Sequence, residues 1–407
     1  MRESSGKAKN PFRNVYYRFE SEVWVLAVIQ FFTAIGFSVC IPFLCIYLHQ
    51  DRGFSMTLVG IIILAGGLCA AVSQAIGGAF SDRFGRRPIL LISSLISIFL
   101  YSGLSALIGI SAPVWAIAIV YIAGRSMLTI TRPVISAMVA DFTSKDRLTE
   151  AYGILRIGLN IGWAAGPAIG GYLATFLPYY WLFGIAALTC GFIFPIILFF
   201  IHEPSHGVVK GIGFRSMLPT ADDRIFIAFV GLSLLLFIIM GQLTSTLSIF
   251  AVDMVGFSTA QYGLLLTLNG LIIAFFQYPI TIALRRLAKF RALILASLLY
   301  GFGYLSLGWI TKFGWALGAM AMITAGEIIH VPVTLSLIGE LSPQDQRGRY
   351  MGLYGLSETA GIALGPLLGG VLLDTFPFNA KLVWAPIASI ALVAAILYGW
   401  WARRFHS

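Results

Sequence analysis

The sequence predicts an all-α polytopic membrane protein of twelve transmembrane helices, arranged as two pseudo-symmetric six-helix bundles. Three observations carry this. Hydrophobic residues make up 58% of the 407 and charged residues only 11%, whereas a soluble domain is about a quarter charged. Apolar runs long enough to span a bilayer, about 20 residues each, follow one another along the chain. The stretch from Gly162 to Gly171, GWAAGPAIGG, returns 199 residues later as GIALGPLLGG from Gly361 to Gly370. The same offset pairs Pro133 with Pro332, Asp141 with Glu340, Asp146 with Asp345 and Gly153 with Gly352. Such self-similarity is the mark of a duplicated unit.

In order, a polar and basic segment (1–21) precedes a first bundle at 22–201, whose helices are expected at 22–48, 57–80, 88–110, 113–140, 151–175 and 180–201. A polar connector, 202–224, leads to a second bundle at 225–401, with helices at 225–252, 259–284, 291–311, 313–340, 350–373 and 381–401, and a tail at 402–407. Each apolar run is bounded by polar segments. Lys and Arg cluster before residue 20 and at 83–87, 145–147, 210–224, 285–291, 347–349 and 403–404, all on one side of the predicted membrane. That side holds 21 of the 27; the other holds only Arg52, Lys312 and Lys381, and Arg125, Arg132 and Arg156 fall within helices. The asymmetry places both termini in the cytoplasm, in a plasma membrane, or the inner membrane of a bacterium. The first apolar run is longer than a signal-peptide core and has no clear small-residue cleavage site, so no cleaved leader is expected.

Several classes are disfavoured. The net charge of +10 lies in short loops between apolar runs, so no nucleic-acid partner is expected. Cys40, Cys45, Cys69 and Cys190 sit inside apolar runs with no CxxC and read as buried thiols. No HExxH or GxSxG occurs and the five histidines are scattered, so no enzyme, metal or cofactor is expected. A receptor or scaffold would suggest a long soluble domain, and the connector is too short to fold alone.

Glycines at 158, 162, 166 and 170 recur every four residues, giving a stripe without side chains where another helix can approach closely. Pro167 then removes a backbone donor and favours a bend. Between the second and third helices stands Gly78-Ala-Phe-Ser-Asp82-Arg83-Phe-Gly85-Arg86-Arg87-Pro88. Arg86 can reach back to Asp82 or across to Asp141 at the end of the fourth helix, a cluster able to latch one conformation. The plainer reading is that Arg83, Arg86 and Arg87 only anchor orientation.

This loop resembles the signature of the major facilitator superfamily, G-x-L-a-D-r-x-G-r-k: Gly78, Asp82, Arg83, Gly85, Arg86 and the basic Arg87 match, and Phe80 replaces the leucine. The resemblance covers nearly the whole chain. It implies that the loop holds the two bundles together on the cytoplasmic side when the transporter opens outward. The second-half counterpart keeps Arg285 and Arg286 but has Thr281 and Leu284 where the first half has Asp82 and Gly85, so an asymmetric latch is expected. Gly162, Gly166, Pro167, Gly170 and Gly171 resemble the motif of the twelve-span drug:proton antiporters, and Gly361, Gly365, Pro366, Gly369 and Gly370 repeat it. The resemblance makes this a bend and seal region and favours export over uptake.

Ionisable residues within a span are costly, about 2.5 to 3.5 kcal/mol at the bilayer centre on insertion scales. Five stand out: Arg125 and Arg132 in the fourth helix, Arg156 in the fifth, Glu327 in the tenth and Glu358 in the eleventh. Glu358 precedes Gly365 by seven residues, which puts it on the face of the small-residue stripe. A carboxylate in a poorly hydrated cavity can load and release a proton near neutral pH, so Glu327 or Glu358 is expected to carry the coupling proton; the alternative is a structural hydrogen bond between helices. Arg125 resembles the fourth-helix arginine of the antiporter family, although the register of Pro133 and Asp141 puts Tyr121 in that place. Arg132 is a candidate for the substrate cavity or a charge partner there, or instead reaches the charge cluster with Asp141, and Arg156 is a candidate to neutralise helix ends or an anionic group. His330 can titrate with Glu327 or simply pack, and Phe275, Phe276, Gln277 and Tyr278 either line a pocket or pack. Met240, Gln242 and Asn269 are further candidates for contact.

The expectation is a secondary transporter, working as a monomer in the lipid bilayer, that couples proton entry to efflux of amphipathic or hydrophobic small molecules by rocking of the bundles. The alternative is a carrier of one metabolite, lipid or organic anion, with Arg125 and Arg156 holding the negative group.

Overall fold

A computed structural model describes residues 19–144, 147–204, 224–284, 287–343 and 347–405. The expectations for most of the connector, the tail's end, Arg285 and Arg286 lie outside the described residues. Twelve long helices follow in order: α1 (Ser21–Ile46), α2 (Met56–Phe84), α3 (Arg86–Gly109), α4 (Val114–Asp141), α5 (Leu148–Phe176), α6 (Tyr180–Phe200), α7 (Arg224–Met240), α8 (Thr259–Ala283), α9 (Lys289–Leu307), α10 (Phe313–Leu341), α11 (Arg347–Thr375) and α12 (Ala380–Phe405). Among the described residues there is no strand. Among the described residues, eleven spans are apolar and long enough to cross a membrane. The exception, α5, is 29 residues long, but six of them are glycine and lower its apolar character.

The two halves pack alike. In the first, α1 lies against α5 and α6, α2 against α4, and α3 against α4 and α6; in the second, α7 lies against α11 and α12, α8 against α10, and α9 against α10 and α12. Two further pairs, α2 with α11 and α5 with α8, join the halves. These are two pseudo-symmetric six-helix bundles, as the repeat predicted. Loops rich in arginine mark one end of the molecule, called here the basic end; the other is the far end.

The glycine stripe does what its spacing requires. A methyl group on Gly162 would come 2.6 Å from Ala34 Cβ and one on Gly166 would come 2.9 Å from Ser38 Cβ, both on α1. In the second bundle a methyl on Gly361 would meet Phe237 Cβ at 2.5 Å and one on Gly365 would meet the Ile238 carbonyl at 2.6 Å, both on α7. With lipid outside as apolar as the interior, such close van der Waals packing is what holds one helix to another. Hydrogen bonds reinforce both seams: Ser38 Oγ donates to the Gly162 carbonyl at 3.2 Å and Gln242 Nε2 to the Gly365 carbonyl at 3.0 Å.

The structure differs from the sequence reading in detail. The first helix runs on into a π turn, Tyr47–Asp51. The seventh is broken: after Met240 come a 3-10 turn at Gly241–Thr244, one α turn at Thr246–Ile249 and a π turn at Phe250–Met254. Gly53 (φ 66°) and Gly256 (φ 80°) follow the two π turns in the left-handed region, where a side chain would be strained. Each leads into a serine, Ser55 or Ser258, whose Oγ accepts the backbone N–H of Leu58 or Gln261 and caps the next helix. Cys40, Cys45 and Cys190 are buried thiols as expected, but Cys69 is exposed. Phe275, Phe276 and Tyr278 are exposed as well, and so do not pack into the interior.

Candidate functional site

The bundles meet in the far half of the molecule. A methyl on Gly60 of α2 would lie 2.6 Å from the Pro366 carbonyl of α11, and one on Gly370 would lie 2.6 Å from the Met56 carbonyl carbon. The second seam mirrors this: a methyl on Gly263 of α8 would lie 3.1 Å from the Pro167 carbonyl carbon of α5, and one on Gly171 would lie 2.5 Å from the Thr259 carbonyl oxygen. In each Gly-Gly pair, then, the first glycine (Gly170, Gly369) packs on the first helix of its own bundle and the second (Gly171, Gly370) on the opposite bundle. Further toward the middle, Gly270 lies against Ala164 and Gly67 against Ala363.

Polar groups lock the same end. Asp374, at the end of α11, accepts the N–H groups of Met56 (2.9 Å) and Thr57 (2.7 Å) and the Thr57 hydroxyl (2.6 Å). Its charge thus sits on the positive N-terminus of α2 in the other bundle. At the position related by the repeat, Thr175 meets Thr259 at 3.2 Å. His49 Nε2 lies 3.3 Å from Asp253 Oδ2, and Gln50 donates to the same carboxylate. A pocket of about 180 Å³ between these groups is lined by His49, Met56, Asp253, Asp374 and neighbouring apolar side chains. Tyr179, in the loop before α6, packs on Tyr47 with ring centroids 5.9 Å apart; burial first, then the carboxylates of Asp51 and Asp253, pushes its phenol up to about 12.

Toward the basic end the charged residues of the spans face one another across the bundles. Arg132, Arg156 and Glu358 are exposed although they lie within spanning helices, and Glu327 and Arg125 are half-buried. Arg132 and Arg156, on the first bundle, lie within electrostatic range of Glu358 on the second, and Arg156 also reaches Glu327. Asn269 of α8 donates one N–H₂ group to Glu327 Oε2 at 2.9 Å and to Thr324 Oγ1 at 3.0 Å. Arg125 is held by neutral partners, the Tyr121 hydroxyl at 2.9 Å and the Ile63 carbonyl at 3.4 Å, with its guanidinium 6.0 Å from the Phe37 ring. Phe37 in turn meets Trp163 edge-on at 5.5 Å.

Two expectations are corrected here. Arg132 does not join the cluster at Asp141; its field is that of Glu358 and Arg125, because it leaves α4 on the face turned to the other bundle. Gln242 is wholly buried between α7 and α11, a packing residue rather than an adaptable contact. His330 packs between the rings of Phe237 and Tyr300, at 5.4 and 6.3 Å, and neither ring nitrogen has a protein partner.

Among the described residues, the hydrogen-bond and ion-pair partners of Arg86 and Arg87 belong to the first bundle or the segment just after it. Arg86 pairs with Asp141 rather than Asp82. Glu203, just after α6, accepts the N–H groups of Arg86 (2.7 Å) and Arg87 (2.8 Å), so it caps α3. Arg87 donates to the Leu198 carbonyl at 2.8 Å, and Arg83 lies over the Phe84 ring at 5.2 Å. Gly85 has φ 95°, and a methyl there would come 3.1 Å from the Glu203 carboxylate, so glycine is required twice over. Gly78 is open enough that a methyl would meet nothing nearer than Pro133 at 3.9 Å. In the second bundle Lys289 pairs with Glu340, the repeat partner of Asp141. Among the described residues, the contacts that hold the bundles together lie toward the far end.

The sequence reading missed Gly60, Gly263, Asp253, Asp374, Glu203 and the role of Asn269. A signal for the first two was present: Gly-Phe-Ser-x-x-x-x-Gly occurs at Gly53–Gly60 and again at Gly256–Gly263. Asp374 stands where the repeat has Thr175, and that departure from symmetry was its signal.

Two bundles that close on one another at one end, over a cleft lined with opposed charges, define a multi-pass membrane transporter. The model described as Major Facilitator Superfamily matches residues 26–356 and 329–405, and the chain belongs to that family. It is 24% identical over 378 residues to YqjV of Bacillus subtilis, an uncharacterized MFS-type transporter, covering 87% of this chain and 86% of that one. It is 23% identical over 384 residues to the quinolone resistance protein NorA of Staphylococcus aureus, covering 92% and 96%. It is also 23% identical over 408 residues to a Na(+), Li(+), K(+)/H(+) antiporter of Planococcus maritimus, covering 93% and 94%. Among solved structures, a POT family transporter in complex with 5-aminolevulinic acid shares the fold, with a TM-score of 0.79 at 16% identity over 95% of this chain and 96% of that one.

Proposed function

We propose that the chain exports amphipathic or hydrophobic small molecules in exchange for protons, with its basic end in the cytoplasm and its far end outside. The observation that carries this is Glu327. It lies at the cleft, is held by Asn269 and feels Arg156 of the opposite bundle, so its charge bears on how the bundles attract. While ionised it favours the arrangement that keeps Arg156 near. A proton taken from outside removes that attraction and competes with any group of the substrate that Glu327 holds, and the equilibrium between the two conformations moves. Glu358, within reach of Arg132 and Arg156, is the second candidate for the same role. The Arg125, Phe37 and Trp163 group offers an apolar and cationic surface at the closed end of the cleft.

The likeness to NorA and to the cation/proton antiporter supports export with proton exchange. The test is transport in proteoliposomes under an imposed pH gradient. Glu327→Gln is expected to fold as the parent does but to lose gradient-driven accumulation. Undiminished coupling in that variant removes Glu327 from the mechanism; the same result in Glu358→Gln removes Glu358 as well and places the coupling proton on another group. Exchange of one anion with no dependence on the pH gradient would make the protein a metabolite carrier instead.

A further inference from the structure

His49 stands in the π turn after α1 and Asp253 in the π turn beyond the break in α7, so this pair ties one bundle to the other at the far end. Both ring nitrogens of His49 face acceptors: Nδ1 lies 2.8 Å from the Phe54 carbonyl oxygen, and Nε2 lies 3.3 Å from Asp253 Oδ2. A neutral imidazole has one N–H and one lone pair. Whichever nitrogen carries the hydrogen, the other turns its lone pair on an oxygen. Only the imidazolium donates at both positions, and only it brings a positive charge to the carboxylate.

The groups around His49 favour the same form. Closure of the far end gathers Asp253 and Asp374 on one pocket of about 180 Å³, and of the residues that line it His49 alone can carry a positive charge. Asp374 is held by the first turn of α2, and Asp253 takes a second hydrogen bond from Gln50. Asp51, on the same turn as His49, adds a third carboxylate. Arg52 is engaged within the first bundle, by the Tyr47 hydroxyl at 3.1 Å and the Ala112 carbonyl at 2.9 Å. Tyr179, from the loop before α6, presents a phenol that is neutral at pH 7 to the carboxylates of Asp51 and Asp253.

Resting on the orientation given above, with the far end outside, we infer that His49 is a sensor of external pH: a proton taken up there from outside locks the two bundles together across Asp253. Histidine changes charge between about pH 8 and 5, so the lock forms in acid and is released toward alkaline pH. The direction follows from linkage. The closed far end holds His49 with its proton on, the open far end frees it from both acceptors, and falling pH therefore favours closure. External acid supplies the protons that drive the proposed exchange, and the same acid hinders the opening through which they enter. Export should rise as external pH falls and then decline within the interval where histidine gains its charge.

The test measures the far end directly. Spin labels, built in as an unnatural amino acid so that the native thiols remain, are set at the far ends of α2 and α11 of the full-length protein. Glu327→Gln and Glu358→Gln form the background, so that neither carboxylate contributes a titration, and Gly171→Ala at the other seam keeps an open population in view. Lowering the pH from about 7.5 to about 5.5 should raise the ratio of closed to open molecules by about two- to fivefold, the range of an ion pair in partial contact with water. His49→Gln should abolish the rise. Asp253→Asn, whose amide can donate to a neutral imidazole, should abolish or reverse it. A ratio that ignores pH, one that falls in acid, or a rise of parental size in either variant overturns the inference; if one variant does not fold, the other decides. Transport in proteoliposomes separates the sensor from the coupling assignment. If the distances respond as expected while Glu327→Gln and Glu358→Gln keep gradient-driven export, the sensor stands and the coupling assignment falls. If those variants lose export while the distances ignore pH, the coupling assignment stands and the sensor falls.

Discussion

Asp374 shows how much one side chain can contribute to a conformational equilibrium. Its carboxylate takes three hydrogen bonds from the first turn of α2, two from backbone N–H groups with no partner inside their own helix. A cap of this kind adds about 0.5 to 2 kcal/mol to the helix it serves, and because donor and acceptor lie on opposite bundles that energy favours the closed far end. Asp374→Ala should therefore leave expression and secondary structure unchanged but raise the population with the far end open by roughly two- to thirtyfold, which follows from that range. Paired spin labels across the far ends of α2 and α11 would measure it, and an unchanged distance distribution would deny Asp374 this role. Asn269 acts on the carboxylate that carries the proposed coupling. Asn269→Leu removes the neutral donor from Glu327 while leaving Arg156 in range. The ionised form of Glu327 loses one hydrogen bond, so it is protonated at higher pH than in the parent, and the pH profile of gradient-driven transport should shift upward; a profile that stays in place would show that Glu327 is not the titrating group.

Among the helices, α5 and α11 bear on both kinds of packing at once, and the Gly-Gly pair separates them within two residues. A methyl on Gly170 would strike Phe43 at 2.6 Å inside the first bundle, whereas one on Gly171 would strike Thr259 of the second. Gly170→Ala should lower thermal stability, since overpacking a close contact costs about 1 to 3 kcal/mol. Gly171→Ala should leave melting nearly unchanged and instead push the far end open, because the bundles can separate at that seam without unfolding. Equal melting losses in both variants would contradict this division. The stripe was legible in the sequence because its cause is local: residues four apart share a helix face, and the absence of side chains is written in the letters themselves. The charged residues of the spans were legible for a similar reason, since membrane insertion penalises them wherever they point. The break after Met240 was not, because Ile225–Met254 still reads as one apolar span and hydropathy does not distinguish an α turn from a 3-10 or π turn. The partners of Arg86 and Arg132 were equally hidden: sequence spacing gives the reach of a guanidinium group, but the side of α4 that faces the second bundle is decided by the packing of α2 on α11 and α5 on α8. Glu203 lies 117 residues from Arg86, and no periodicity connects them.

For the whole molecule, the pseudo-symmetry turns two separate seams into one mechanical question. The α2–α11 seam and the α5–α8 seam use the same parts, a glycine of the second or eighth helix set against a proline carbonyl of the eleventh or fifth, and a second glycine returned across the gap. They differ in the polar lock: Asp374 at one, the Thr175 and Thr259 hydroxyls at the other. If each bundle moves as a rigid body, both seams open in a single step and every substitution at either acts on the same equilibrium. Asp374→Ala, placed at the α2–α11 seam, should then lengthen the distance between labels set across the α5–α8 seam, and Gly171→Ala should likewise lengthen the distance across the α2–α11 seam. Their effects on the opening free energy should add, since the sites are distant and share no partner, so two changes of about 1 to 2 kcal/mol each would together move the population by roughly 30- to 1,000-fold. The double variant should be open at the far end in most molecules, and should close again when the basic end is held apart by a cross-linker. Should the α2–α11 labels respond to Asp374→Ala alone and the α5–α8 labels to Gly171→Ala alone, the seams open independently, and alternating access in this chain proceeds by bending of single helices rather than by rocking of two bundles.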